Sequence, residues 1–335
     1  MDKVPYVFVD RVAELLDENY LRQVADELDD PIWTDVARLH SNKREYFALR
    51  IRESPETGGC GIVISSMSRA ACVTLEELDE LGRFARFSVI KMDSVGDSGV
   101  YSEDETHMDT EEELVTLVQK HTVFGRPLMY CDVDGAPGLG RCLIRLFTKK
   151  IYFSSLLLDY RGPESKSFLE EHVDSYPYLE YLQLQGTWPS SVALEYARRF
   201  LFSRRKAVPG GHAALEDGIV VGADFIKEIV DGWNRGECST SKFTFNPPAD
   251  IGRCAEFMEI EESSADEHPS FFVVHDTKKS IIYLSDKRKS HAYTTSLRKP
   301  YVLFFHDCTC GNTPGHCDLR TKDPHLHALL RSHFR

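Results

Sequence analysis

Three groups of residues have the types that do chemistry. The first is the glycine-rich run Gly135-Ala136-Pro137-Gly138-Leu139-Gly140-Arg141-Cys142, set between a strand pattern and a helix pattern. Backbone N–H groups of such a loop can cradle a phosphate, and Gly135 and Gly140 stand at the G-x-x-x-x-G spacing of a phosphate-binding loop. The partners that this spacing needs are missing. Arg141 stands where a Lys would reach the phosphates, and Cys142 where a Ser or Thr would hold magnesium. Pro137 removes one N–H. The run reads as a structural turn, with nucleotide binding as the alternative. The second group is Cys308, Cys310, His316 and Cys317, thiols and an imidazole of the kinds that ligate zinc. Their C-x-C spacing is tighter than that of a zinc knuckle, and no second pair stands at a standard distance. A polar loop turned by Gly311-Asn312 and Pro314-Gly315 is expected, without metal. The third group is the nucleophiles. No G-x-S-x-G, H-E-x-x-H or paired-carboxylate signature occurs. Cys60, in ETGGCG, is the most turn-exposed thiol, and nothing in the sequence assigns it a base. The expectation is a protein that is not an enzyme, with no catalytic residue, cofactor or metal.

The elements that carry these loops recur along the chain. An apolar-x-x-apolar-x-apolar pattern appears as Phe87, Ile90 and Met92, and as Leu128, Cys131 and Val133. It returns as Phe153, Leu156 and Leu158, and as Leu179, Leu182 and Leu184. The last three copies start at 128, 153 and 179, spacings of 25 and 26 residues that lie inside the leucine-rich-repeat range. Amphipathic segments separate the copies: LEELDELGRF, GRCLIRLFTKKI and SFLEEHV. Thr74 with Glu77, and Thr110 with Glu113, have capping-box spacing. Strand and helix alternating at an even period predict a mainly parallel sheet over 59–260 with helices on its outer face. The pattern breaks at KAVPGGHAALEDG, where Gly210-Gly211 interrupts an expected strand. It resumes with ADFIKEIVDGW and SKFTFN before Pro247-Pro248.

Residues 93–113 hold nine acids and no Lys or Arg. They read as a solvated loop feeding a helix N-terminus, with Ser94, Ser98 or Ser102 as candidate phosphorylation sites. Beyond Pro248, FFVVHD, SIIYLS, HAYTTS and YVLFFHD read as short strands joined by polar loops, a small antiparallel meander. The tail histidines His325, His327 and His333 read as solvated.

The first fifty residues read as three helices. Pro5 suits a first turn, and Phe8, Val12, Leu15 and Leu16 fall on one helical face. Leu21, Val24, Ala25 and Leu28 repeat the spacing. Asp30-Pro31 reads as a cap with a first-turn proline, and Ile32, Trp33, Val36 and Leu39 form a third stripe. So short a module carries more large apolar groups than it can bury alone, so it wants a flanking domain or a partner.

The apolar-Pro opening, the three helices and the Trp in the third resemble an F-box. The opening MDKVPYVFVDRVAELL is similar to the start of the nematode family of F-box-associated proteins. His268-Pro269, Lys278-Lys279, the strand Tyr301 to Phe305 and PYLEYLQLQGTWP are similar to other parts of that family. The stretch DENYLRQVADELDD departs from the F-box pattern in its acidity. The resemblance implies a substrate receptor of an SCF-type ubiquitin ligase. Its N-terminal helices would bind a Skp-type adaptor of a cullin-RING ligase, and its repeat domain would recruit a client protein. Pro5, Phe8, Val12, Leu16, Leu21 and Trp33 would form or support the adaptor surface. The rival is a repeat scaffold with no adaptor, whose helices only cap the stack.

Composition bounds these readings. A formal charge of −13 argues against general nucleic-acid binding, which needs clustered Lys and Arg. The basic runs Arg198-Arg199, Arg204-Arg205-Lys206 and Lys287-Arg288-Lys289 sit amid excess acid. No apolar run approaches a membrane span, and no signal-peptide layout opens the sequence. Nine scattered cysteines read as reduced thiols, which points to cytoplasm or nucleus. The expected fold class is α/β. An F-box-like helical module would cover 1–52, a leucine-rich-repeat-like α/β stack 53–260, and a small antiparallel β part with a polar tail 261–335.

Overall fold

The structure, a computed structural model, describes residues 4–16, 18–53, 60–69, 71–93, 106–108, 110–122, 128–131, 144–145, 147–202, 211–215, 218–238, 240–246, 250–261, 270–275, 280–286, 301–307, 317–322 and 324–333. The protein is mixed α/β, as expected, and forms two compact units, residues 1–179 and 180–335. No helix among the described residues is long and apolar enough to cross a membrane.

The first unit opens with α1 (Tyr6–Leu15), α2 (Glu18–Glu27) and α3 (Pro31–Lys43). Pro5 stands in extended backbone before α1, and its carbonyl accepts from Phe8 and Val9. Asp30 caps α3 by accepting from the N–H groups of Ile32 and Trp33 at 3.0 and 3.2 Å. Only Arg44 separates α3 from β1 (Glu45–Glu53). The boundary expected at residue 52 therefore falls inside a strand, and the helical module ends at Lys43.

β1 is an interior strand. It pairs antiparallel with β2 (Cys60–Ser66) and parallel with β4 (Ala85–Asp93). Its Phe47, Leu49 and Ile51 alternate into the core, each fully buried. β3 (Cys72–Val73) and β5 (Thr106–Met108) pair antiparallel with β2, whereas β6 (Leu128–Cys131) and β7 (Ser155–Asp159) continue the parallel run beyond β4. Within 59–260 the ladders of β4, β6 and β7 are parallel, as expected, and those of β2 with β3 and β5 are antiparallel; β1, before that range, adds an antiparallel pair with β2. The link from β1 to β2 explains why: residues 54–59 are too few for a parallel crossover, which takes a dozen or more. The recurring apolar pattern has a local cause in β4. Phe47 stands opposite Phe87 and Ala48 opposite Val89, so Ser88 is an extra residue. That bulge slips the alternation by one and turns Phe87, Ile90 and Met92 to one side.

Both predicted capping boxes form. Thr74 and Glu77 open α4 (Leu75–Leu81), and Thr110 and Glu113 open α5 (Glu111–His121). Gly82, at φ 52°, ends α4 in a conformation that favours glycine. α4 and α5 pack on β4, burying Leu78, Leu114 and Val118. Phe147, Phe153 and Phe168 pack with His172 of α6 (Pro163–Ser175), whose ring stacks on Phe153.

In the second unit β8 (Tyr181–Gln185), β9 (Gly211–Leu215) and β10 (Thr240–Phe245) run parallel. The break expected at Gly210-Gly211 does not occur at Gly211, which begins β9. Ala213, Ala214 and Leu215 are buried there, so small side chains fill a core strand that the leucine pattern missed. β10 pairs antiparallel with β14 (Tyr301–Asp307), which continues through β13 (Ser280–Asp286) and β12 (Phe271–Val274) to β11 (Glu259–Ile260). Three of the four expected strands of the meander are thus present. The fourth, HAYTTS, lies outside the described residues, as do Ser94, Ser98 and Ser102. α7 (Ser190–Leu201) and α8 (Ala223–Asn234) are joined by the Arg198–Glu228 ion pair, at 2.6 and 2.9 Å. Gly232 faces the Phe202 ring so closely that a Cβ there would lie 2.2 Å from it. The polar tail proves to be two helices, α9 (Asp318–Lys322) and α10 (Pro324–His333). Their Leu319, Leu326 and Leu330 pack with Val274, Ile281 and Tyr283, an apolar spacing masked in sequence by the intervening charges.

His172 makes the first unit acid-sensitive. Its Nδ1 bonds the Phe168 carbonyl at 2.9 Å, and its buried Nε2 has no partner among the described residues. Burial pushes its pKa down to about 4. As pH falls through the ordinary histidine range the unfolded chain takes up a proton and the folded protein does not, so stability drops until about pH 4. At ~1.4 kcal/mol per pKa unit the total is about 3 kcal/mol. Chemical denaturation across pH 7 to 4 should show this loss, and His172→Leu should flatten it.

Candidate functional site

The strongest functional feature lies on the first three helices. Their own core is small: Val9 and Ala13 from α1, Leu21 from α2, Val36 and Ala37 from α3. Val4, Leu16, Val24, Ala25 and Trp33 pack partly against it. The six residues expected at a partner surface therefore separate. Leu21 is fully buried and supports the module from within; it cannot meet a partner directly. Leu16 and Trp33 lie half-buried on the core, and Val12 is half-buried beside it in α1. Pro5 and Phe8 face solvent.

The orientation of α1 is the reverse of an ordinary amphipathic helix. Phe8, Val12 and Leu15, at i, i+4 and i+7, share one stripe. Phe8 and Val12 of this stripe were expected to form or support a partner surface, and the buried face carries Val9, Asp10 and Ala13. Phe8 is 55% exposed and Leu15 57%. Tyr6, Val7, Tyr20, Leu28 and Ile32 are exposed as well, so among the described residues the module holds seven of the eleven exposed large apolar side chains. Scattered apolar residues need no explanation, but this concentration in so short a segment marks an interaction surface.

A polar network fixes the inner face of α1. Asp10 accepts from His40 Nε2 at 2.9 Å and pairs with Arg83, from the turn before β4. Arg83 also reaches Glu14 at 3.2 Å. Arg44 donates to the carbonyls of Leu16 and Ala13, capping the end of α1, and to His40 Nδ1 at 3.3 Å. Since Arg44 can only donate, Nδ1 accepts and the proton sits on Nε2. Burial lowers the His40 pKa, and the Arg83 hydrogen bond leads in lowering that of Asp10. A neutral imidazole thus donates to an ionised carboxylate. The His40 ring meets Phe84 edge-on, and Lys43 and Arg83 lie over the face of Phe84. Sequence reasoning singled out none of Asp10, His40, Arg44 or Arg83. The available signal was Asp10, a charge in phase with Val9 and Ala13.

The other candidates fare differently. Gly135 to Cys142 lie outside the described residues, as do Cys308, Cys310 and His316. Cys317 is buried against Leu326 and Leu330. Among the described residues no three His, Cys, Asp or Glu side chains are placed to hold a metal. Cys60 is buried at the start of β2, because the strand begins at the thiol and not after it. His325 and His327 are not simply solvated: His325 bonds buried Glu261, and His327 is itself buried.

Core and surface roles should separate by mutation. Leu21→Ala should cost roughly 2–5 kcal/mol as a core truncation. Phe8→Ala should stay within about 0.5 kcal/mol of wild type. Urea denaturation of the two variants checks both. Compared with models of protein families, with curated proteins and with solved structures, the chain matches none.

Proposed function

We propose that the protein is a non-enzymatic interaction protein whose N-terminal helices dock on a Skp-type adaptor of a cullin-RING ubiquitin ligase. The α/β units would then present a client for ubiquitin transfer. One observation carries the reading: Phe8 and Leu15 of the α1 stripe face away from the core of their own module, with Val12 half-buried between them. Tyr6 and Val7 extend that apolar surface around the first turn. Aromatic and aliphatic anchors with a charged surround are what a specific protein interface uses. The F-box-like spacing of Pro5, the three helices and Trp33 selects the adaptor among partners of this kind. Leu16, Leu21 and Trp33 support the surface from beneath.

A second reading has its own support. Arg44, Arg83 and His40 tie α1 and α3 to the start of the sheet, as a cap on an α/β stack would be tied. In that case the protein is a scaffold without an adaptor.

The two readings differ in a pull-down of purified adaptor by the full chain. The adaptor reading expects retention by wild type and a loss of about 2 kcal/mol, some thirty-fold, in Phe8→Ala/Leu15→Ala. Urea denaturation should show that the double variant remains folded. No retention by wild type, where an authentic F-box protein is retained, overturns the adaptor reading and leaves the cap.

A further inference from the structure

The polar ties of α1 converge on one titratable ring. His40 is fully buried. Its Nε2 donates to Asp10 of α1 at 2.9 Å, and its Nδ1 accepts from Nη2 of Arg44 at 3.3 Å. The same Nη2 donates to the carbonyl of Ala13, and Nη1 to that of Leu16. The guanidinium that uses the imidazole lone pair therefore also holds the end of α1. The apolar hold on this helix is slight, since Val9 and Ala13 are its whole share of the module's buried core.

A proton on Nδ1 reverses one of these contacts. An imidazolium has two donors and no lone pair, so Arg44 loses its acceptor and two N–H groups face each other. The new charge also lies among like charges. Arg44 touches the ring, Arg83 shares its Asp10 partner, and Lys43 and Arg83 lie over Phe84, which meets the ring edge-on. The anions at this junction are Asp10 and Glu14, and Arg83 already pairs with both. Burial is the largest cause that holds the His40 pKa down; Arg44 and Arg83 add to it, and Asp10 opposes them.

We propose that His40 is a proton-operated latch, in which protonation of Nδ1 releases α1 from α3 and from the segment before β4. Once α1 leaves, the ring reaches water and takes a proton at the ordinary histidine value. Docked, it takes one only at lower pH. Docking is thus fully favoured above about pH 6.5 and is lost progressively below it. The latch needs no adaptor. Where Phe8 and Leu15 serve as a docking surface, acid takes away their fixed position.

The test is hydrogen exchange of the full chain, followed by mass spectrometry at pH 7 and 5.5 and corrected for the intrinsic rate at each pH. Opening of residues 6–16 should rise about fivefold or more on acidification, because one proton is taken up on release. Peptides from β4 should rise less, and those of α6 report the separate response of His172. His40→Gln should abolish the rise: its amide can donate to Asp10 and accept from Arg44, and it does not titrate in this range. No rise in wild type overturns the proposal, as does an equal rise in His40→Gln or in β4. Should His40→Gln fail to fold, an NMR titration of the wild-type ring decides. A midpoint below the ordinary histidine value supports the latch, and one at or above it overturns it.

Discussion

The carboxylate of Asp10 joins three separate stretches of chain at one point. It accepts from His40 on α3 and from Arg83 before β4, while belonging itself to α1. Each partner is nearly committed to it. His40 has its other nitrogen turned to Arg44, and Arg83 has Glu14 and the Phe84 ring besides. Taking out the carboxylate would leave a buried imidazole N–H without its acceptor, and stranded polar groups cost more than the net worth of the bonds they made. The geometry is therefore all-or-none: α1 is held with its Asp10 face inward or it is not held. That constraint keeps the Phe8, Val12 and Leu15 stripe outward. Apolar surface alone would favour the opposite roll, with Phe8 inside.

The same junction accounts for how the helices and the sheet form one unit. α3 runs into β1 through Arg44, whose guanidinium reaches back to the last carbonyls of α1. A cation at the C-terminal end of a helix also opposes the helix dipole there. The apolar core of the three helices is small, five buried residues with partial cover, and would hold the module only weakly by itself. Directional bonds to the segment around β4 supply what that core lacks. The surface and its support thus use different chemistry: apolar side chains outside, charge and hydrogen bonds within.

Much of the local structure was legible because local chemistry decides it. Asp30, Thr74 and Thr110 each announce a helix by an oxygen placed to accept from the first turn, and each helix begins there. The strands at Leu156, Leu182 and Phe243 followed from apolar alternation. Features set by distant parts of the chain were not legible. The mixed pairing of β1 depends on the short link to β2, and the repeat pattern, read only from about residue 59, did not include that strand. In β4 that pattern came from the Ser88 bulge, which no single-strand reading contains. β9 was missed because alanines between larger neighbours fill its core positions. At the candidate site the apolar stripe was grouped from its spacing, but the contact that sets its direction was not legible, since Arg83 lies some seventy residues away.

β1 has a history that follows from its place in the sheet. Its two ladder partners, β2 and β4, both come later in the chain, and the second is complete only at Asp93. During synthesis from the N-terminus, the helices and β1 leave the ribosome before either partner exists. Arg83, the tie for Asp10, emerges just ahead of β4. Between the emergence of β2 and that of β4, β1 keeps one unpaired edge beside an apolar helix, the combination that chaperones bind and aggregates recruit. The arrival of residues 83–93 closes that edge and fixes α1 through Arg83, so the translation rate over that stretch sets how long the edge of β1 stays exposed.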